Sequence, residues 1–255
     1  MINRRDFILL SGAGLISLKG TQNARPESIF KPKIFESASG KEMPYRLFIP
    51  LKYDAKQAYP LALWLHGVNG RGNDNTAQIS EGNRIGSHVW AFPENQVKNP
   101  CFVVVPQCAD EEYWAAGDGY KPTGQLHLVL ELLSNLKKTY NIDAERLYVA
   151  GQSMGGIGTW SLITANPNMF AAAVPLCGGG NVAEASKLVR MPIWAFHGDK
   201  DQSVPVDYSR KMIAAIRKSG GSPKYTEYKG AGHEIWERVF REPELLPWVF
   251  SQKRE

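Results

Sequence analysis

Short apolar runs alternate with amphipathic stretches along most of the chain. Pro60-Leu-Ala-Leu-Trp-Leu65, Phe102-Val-Val-Val105, Arg146-Leu-Tyr-Val-Ala150, Ala171-Ala-Ala-Val-Pro-Leu176 and Ile193-Trp-Ala-Phe196 are each apolar at nearly every position. Each stops at a turn signal: His66-Gly67, Pro106, Gly151, the Gly178–Gly180 run and His197-Gly198. Such runs suit strands covered on both faces, as parallel sheets require. Between them, Leu126, Leu130, Leu133 and Leu136 recur at helical spacing, and Met212, Ile213 and Ile216 form a second helical stripe. Lys33–Ser39 and Tyr45–Ile49 read as two strands around Ser39-Gly40, and Lys224–Lys229 as a late strand. Strand and helix alternating in this way predict an α/β fold with a mostly parallel, doubly wound sheet. Functional groups then gather at the carboxyl ends of the strands. One long irregular stretch, Val68 to Pro100, is predicted to mix loop with a short helix.

The N-terminus has a different pattern. Arg4-Arg5-Asp6-Phe7-Ile8 precedes a weakly apolar stretch to Leu18, diluted by Gly12 and Gly14. This resembles a twin-arginine export signal. Residues 1–25 are therefore expected to be an address, and residues 26–255 the functional domain. Export would place the protein in the periplasm or outside the cell, or tether it to the membrane if the signal is uncleaved. The formal net charge is +5, of which +3 falls within the first 25 residues (Arg4, Arg5, Lys19 and Arg25 against Asp6). The near-neutral remainder argues against a nucleic-acid partner. No apolar run reaches the ~18 residues that span a bilayer, so no membrane partner beyond the export machinery is expected. The length of 255 residues allows one large core. Cys101, Cys108 and Cys177 are odd in number and cannot form a fully paired intramolecular set. Cys101 and Cys177 read as small buried hydrophobes, while a Cys101–Cys108 bridge remains open.

The chemistry centres on Gly151-Gln-Ser-Met-Gly155, which follows a buried strand and precedes a helical stretch. In that context Gly-x-Ser-x-Gly is a nucleophile elbow, with Ser153 exposed at the start of a helix. A base is sought among five histidines. His66 and His197 close strands, His127 lies in a helix and His88 in the irregular stretch. His233, in the glycine-rich loop Gly230-Ala-Gly-His233, is the expected base. The acid should lie between serine and histidine in chain order, and by spacing Asp199 and Asp201 both qualify. The oxyanion donors are expected to be the amide of Met154 and one from Gly67 or Val68. Trp114, Trp160, Trp236 and Gln152 are candidate substrate contacts. No metal or other cofactor is called for by this chemistry.

With these residues in place, the chain resembles the branch of α/β hydrolases that holds carboxylesterases, dienelactone hydrolases and single-domain prolyl-oligopeptidase-like proteins, near feruloyl and acetylxylan esterases. The resemblance rests on Leu65-His-Gly-Val-Asn-Gly-Arg-Gly-Asn-Asp-Asn75, Val105-Pro-Gln-Cys108, Gly151–Gly156, Gly198-Asp-Lys-Asp-Gln-Ser-Val-Pro205 and Gly232-His-Glu-Ile-Trp236. It implies an α/β-hydrolase domain without a large cap, and it implies that Asp201 is the acid. Asn69-Gly70 departs from the Gly-Glu that relatives often carry there. The expected substrate is an ester, small or polysaccharide-linked, with acetyl or feruloyl groups foremost. A serine peptidase is the alternative, and a non-catalytic binding protein on the same fold the third reading.

Overall fold

A computed structural model describes residues 29–117 and 120–254. The expected export segment, residues 1–25, lies outside the described residues. The strands are β1 (Lys31–Glu36), β2 (Glu42–Phe48), β3 (Tyr59–Leu65), β4 (Phe102–Pro106), β5 (Ala115–Ala116), β6 (Lys121–Pro122), β7 (Ile142–Gln152), β8 (Ala172–Leu176), β9 (Trp194–Gly198) and β10 (Lys224–Tyr228). The helices are α1 (Arg84–His88), α2 (Pro93–Lys98), α3 (Gly124–Thr139), α4 (Met154–Ala165), α5 (Asp207–Lys218), α6 (Trp236–Val239) and α7 (Leu245–Ser251).

Eight strands form one sheet in the order β1-β2-β4-β3-β7-β8-β9-β10. β1 and β2 run antiparallel at one edge, and β2 pairs antiparallel with β4. From β4 onward the pairs are parallel. The α/β, mostly parallel, doubly wound expectation therefore holds. β5 and β6 make a separate two-residue ladder.

Alternation along each buried strand sorts the core into two layers. Leu61, Leu63, Leu65, Phe102, Val104, Leu147, Val149, Ala173 and Ala195 face one side. That side is covered by Leu126, Val129 and Leu133 of α3, Trp160 and Ile163 of α4, and Met212 and Ile216 of α5. Ala62, Trp64, Val103, Val105, Tyr148, Ala150, Val174 and Phe196 face the other. There the cover comes from Ile79, Val89 and Trp90 of the irregular stretch, Trp236 and Val239 of α6, and Leu245 and Val249 of α7. Apolar residues at consecutive strand positions are thus explained, because both faces are roofed.

The irregular stretch is more ordered than expected. It is a chain of short helical turns: Val68–Gly70, Ala77–Ile79, Glu81–Asn83, α1, Val89–Ala91 and α2. Trp64 requires Gly86 there, since a Cβ on that residue would run into its indole ring. All three cysteines are free and buried, so the Cys101–Cys108 bridge left open by the sequence does not form. Gln96 holds the Cys101 backbone instead, through its carbonyl oxygen at 3.0 Å.

Candidate active site

The central strand β7 runs directly into α4, and Ser153 is the hinge between them. Its backbone has φ 55° and ψ −118°, a conformation that costs a non-glycine residue free energy. Two glycines make the turn possible. A Cβ on Gly155 would overlap the Leu65 carbonyl of the neighbouring strand, and one on Gly151 would overlap the Gly155 carbonyl. The Ser153 amide donates to the Leu176 carbonyl at 2.9 Å, which locks the elbow to β8. Its side chain is thereby raised above the strand ends, at the N-terminus of α4.

His233 reaches the serine from the loop after β10. Its Nε2 is 2.8 Å from Ser153 Oγ, and its Nδ1 is 2.7 Å from Asp201 Oδ2. The side chain of His233 is 19% exposed, whereas that of Asp201 is fully buried. Asp201 lies in the loop after β9, and that loop is laced to the histidine loop. Asp199 N donates to Tyr228 O at 3.2 Å and Lys200 N to Ala231 O at 2.9 Å. Asp199 Oδ1 accepts from the Gly230 amide at 2.6 Å. The two aspartates left open by spacing therefore have separate places: Asp201 against the imidazole, Asp199 clasping the two loops.

Burial opposes the charge of Asp201, but hydrogen bonds from His233 and from the amides of Val204 and Ser203 outweigh it. The net result holds the carboxyl below its ordinary value. Cys177 adjoins the same group. Its Sγ lies within 4.8 Å of the Asp201 and His233 ligand atoms, and it donates to the His233 carbonyl at 3.2 Å. Burial, then the Asp201 charge, push this thiol well up. A protonated thiol beside a carboxylate and an imidazole already bonded to each other is a poor donor set for a metal.

The oxyanion side is organised by two residues that pattern reasoning did not single out for that role. His66 Nδ1 lies 2.6 Å from the Gly67 carbonyl, and its Nε2 accepts from the Cys108 amide at 3.0 Å. Gly70 packs so tightly on this ring that a Cβ there would collide with it. Asn83 Oδ1 accepts from the Gly67 amide at 2.9 Å. Gly67 is therefore corrected as an oxyanion donor, because its N–H is already committed. The amides of Val68 and Met154 have no acceptor among the described residues. Asn83 carried no sequence signal, sitting as it does in a stretch without periodicity.

The expected substrate contacts divide. Trp114 is fully buried, with Nε1 donating to the His66 carbonyl at 3.1 Å. Trp160 is also fully buried, in the layer beneath α4. Neither can stack on a ligand, and both are corrected to core residues. Gln152 is buried and donates to the Gly82 carbonyl at 2.8 Å, so it ties the elbow to the Asn83 turn. Trp236 is different. Its ring meets His233 edge-on at 5.3 Å and lines a cleft of about 660 Å³ with Arg84, Ile85, Phe92, Glu234 and Glu237.

The model of the Esterase family matches residues 37–237, which takes in the elbow, the aspartate loop and His233. The chain belongs to the Esterase family. An esterase of known structure, described as thermostable, is 37% identical to it, with a TM-score of 0.85 over 89% of this chain and 64% of that one. The fold is accordingly that of the α/β hydrolases. Over 102 residues (40% of the chain) the present chain is 43% identical to the bifunctional acetylxylan esterase/xylanase XynS20E of Neocallimastix patriciarum. Over 188 residues (73% of the chain) it is 26% identical to "Probable feruloyl esterase C" of Aspergillus terreus. The matched part is 15% of the former relative and 64% of the latter. Among the described residues no helix is long and apolar enough to cross a membrane.

Proposed function

We propose that this protein hydrolyses carboxylic esters through an acyl-enzyme. Ser153 attacks the carbonyl, and His233 takes the serine proton and later returns it to the leaving alcohol. Asp201 holds the imidazole tautomer and stabilises the imidazolium. The amides of Met154 and Val68 receive the oxyanion, each such donor being worth about 2.7–4 kcal/mol where one has been removed. Water then attacks the acyl-enzyme with His233 again as base. The observation that carries this reading is the unbroken relay, 2.8 Å from Ser153 to His233 and 2.7 Å from His233 to Asp201, at a strained elbow.

The substrate is an ester of a polysaccharide, carrying acetyl or feruloyl groups. Support comes from the names of the acetylxylan and feruloyl esterase relatives, and from a cleft walled by Glu234, Trp236 and Phe92, the Trp236 ring meeting His233 at 5.3 Å. Its place of action is outside the cytoplasm, reached through the Arg4-Arg5 signal. The test is a rate comparison across acetylated xylan, methyl ferulate, short p-nitrophenyl esters and aminoacyl amides. Turnover of the esters with little on the amides is expected. Preferential cleavage of the amides would overturn the reading in favour of a peptidase. Replacing Arg4 and Arg5 by Lys should trap the protein in the cytoplasm, and normal export of that variant would overturn the twin-arginine route.

A further inference from the structure

A fully buried carboxylate must have its acceptor sites filled, or it will neutralise. Asp201 meets this requirement with three donors. Oδ1 accepts from the amides of Ser203 and Val204, each at 2.9 Å. Oδ2 takes His233 Nδ1 at 2.7 Å, and His197 Nε2, bonded to the Val204 carbonyl, lies 3.2 Å from the same oxygen. His197 is fully buried at the end of β9 and belongs to no part of the Ser153–His233–Asp201 relay.

The partners of His197 fix its tautomer. Nε2 faces two acceptors, Asp201 Oδ2 and the Val204 carbonyl at 2.9 Å, so this nitrogen carries the proton. Nδ1 lies 2.7 Å from Ser209 Oγ of α5, and that hydroxyl is also 2.9 Å from the Gly178 carbonyl. One hydroxyl proton serves both contacts. Burial lowers the proton affinity of the ring. A neutral ring matters because His233 becomes a cation during turnover. A second cation on Asp201 would cancel the charge that supports it. The other groups facing the ring leave Asp201 as its principal charge. Glu227 of β10, in register with His197, is forked by Arg210 of α5 at 2.7 and 2.9 Å. Cys177 presents a protonated thiol, and His233 lies across the carboxylate.

We infer that His197 is a positioning residue of the reaction: its Nε2–H holds the carbonyl of Val204, whose amide binds Asp201 Oδ1, and the ring backs Oδ2 at 3.2 Å, so that the carboxylate stays in place for His233, with Ser209 fixing the ring from behind. The inference rests on the proposed hydrolase relay. It is tested on the full chain by p-nitrophenyl acetate hydrolysis from pH 5 to 9, comparing wild type, Asp201→Asn, His197→Phe, His197→Gln and Ser209→Ala. His197→Phe should lower kcat roughly 10- to 100-fold, as loss of a supporting partner of an active-site group does, with KM within about threefold. The acid limb of its kcat/KM profile should move to lower pH, since a carboxylate no longer held supports the His233 imidazolium less well. The low-field proton resonance of the His233–Asp201 hydrogen bond should weaken with it. His197→Gln, whose amide can donate to the Val204 carbonyl in place of the ring, should recover most of kcat. Ser209→Ala should shift kcat and the acid limb in the same direction by a smaller amount.

A folded His197→Phe with the kcat and acid limb of wild type would overturn the inference. So would a loss of activity with an unmoved acid limb, which is what mere packing would give. If His197→Phe does not fold, Ser209→Ala decides by the same two readings. An inactive wild type, or a fully active Asp201→Asn, would instead overturn the hydrolase relay itself.

Discussion

The dipeptide His-Gly closes two strands of this sheet, and the two copies do different work. His66-Gly67 ends β3 and His197-Gly198 ends β9; both rings are fully buried. The His66 proton sits on Nδ1, because the Cys108 amide donates to Nε2 and the Gly67 carbonyl accepts from Nδ1. The His197 proton sits on Nε2, because the Val204 carbonyl accepts there, with Asp201 Oδ2 3.2 Å away. The first ring shapes the loop that presents the Val68 amide, and the second leans on the relay carboxylate. Identical local sequence thus yields opposite tautomers, and the deciding groups lie 42 residues away in one case and seven in the other.

This contrast can be broken from the catalytic side first. Ser153→Ala should cost on the order of 10⁴–10⁶ in kcat, and Asp201→Asn about 10⁴, because an amide imposes the wrong tautomer on His233. Ser153→Ala should melt near the wild-type temperature. Residual kcat above a tenth of wild type in a folded Ser153→Ala would rule out the elbow as the reacting centre.

The His66 end should break differently. His66→Phe leaves the Cys108 N–H buried without a partner, at about 1–3 kcal/mol, and leaves the Gly67 carbonyl with the Gly70 amide alone. Urea titration should show that loss, with the acid limb of the rate profile unmoved. A His66→Phe as stable as wild type would show that the ring is not what holds the loop.

A third test uses pH. Burial of His66 lowers its pKa to about 4, so between about 6.5 and 4 the unfolded chain binds a proton there that the folded chain refuses. Stability must therefore fall as pH drops through that window, by roughly 3 kcal/mol at its acid end. Burial of His197 acts in the same direction. The lowered pKa of Asp201 contributes stability that is present above the ordinary carboxylate range and lost only in stronger acid. Urea midpoints at pH 7, 5.5 and 4.5 check the slope, and His66→Phe should flatten it. The smallest effect is expected at Asp199→Ala. Losing the bond to Gly230 should cost about 1 kcal/mol, with kcat within a few-fold by the same ester assay.

Much of this was legible beforehand, for reasons that can be named. Strands covered on both faces declare themselves as apolar runs, and all five such runs became strands. Ser153 and His233 are marked by glycines, because close approach and a tight turn exclude side chains. Asp201 could not be separated from Asp199 by spacing alone, since both leave β9 in the same loop. Only the path of that loop over the histidine loop parts them. Tryptophans gave the weakest guide: a large ring serves a core or a cleft equally well, and burial put Trp114 and Trp160 in one and left Trp236 beside the other. Asn83 at the Gly67 amide and His197 behind Asp201 depend on contacts that no local pattern encodes.

The three buried cysteines carry a consequence for how the chain can travel. Burial pushes the thiols of Cys101 and Cys108 up to about 12, and that of Cys177 is raised as well. Near neutral pH almost none of the reactive thiolate is present, and thiol exchange proceeds through that form. No cross-link has to be made for the native contacts to form, and none is poised to be broken. The folded domain therefore keeps the same three free thiols in a reducing or an oxidising compartment, and its native contacts place no demand on the redox poise of the place where it works.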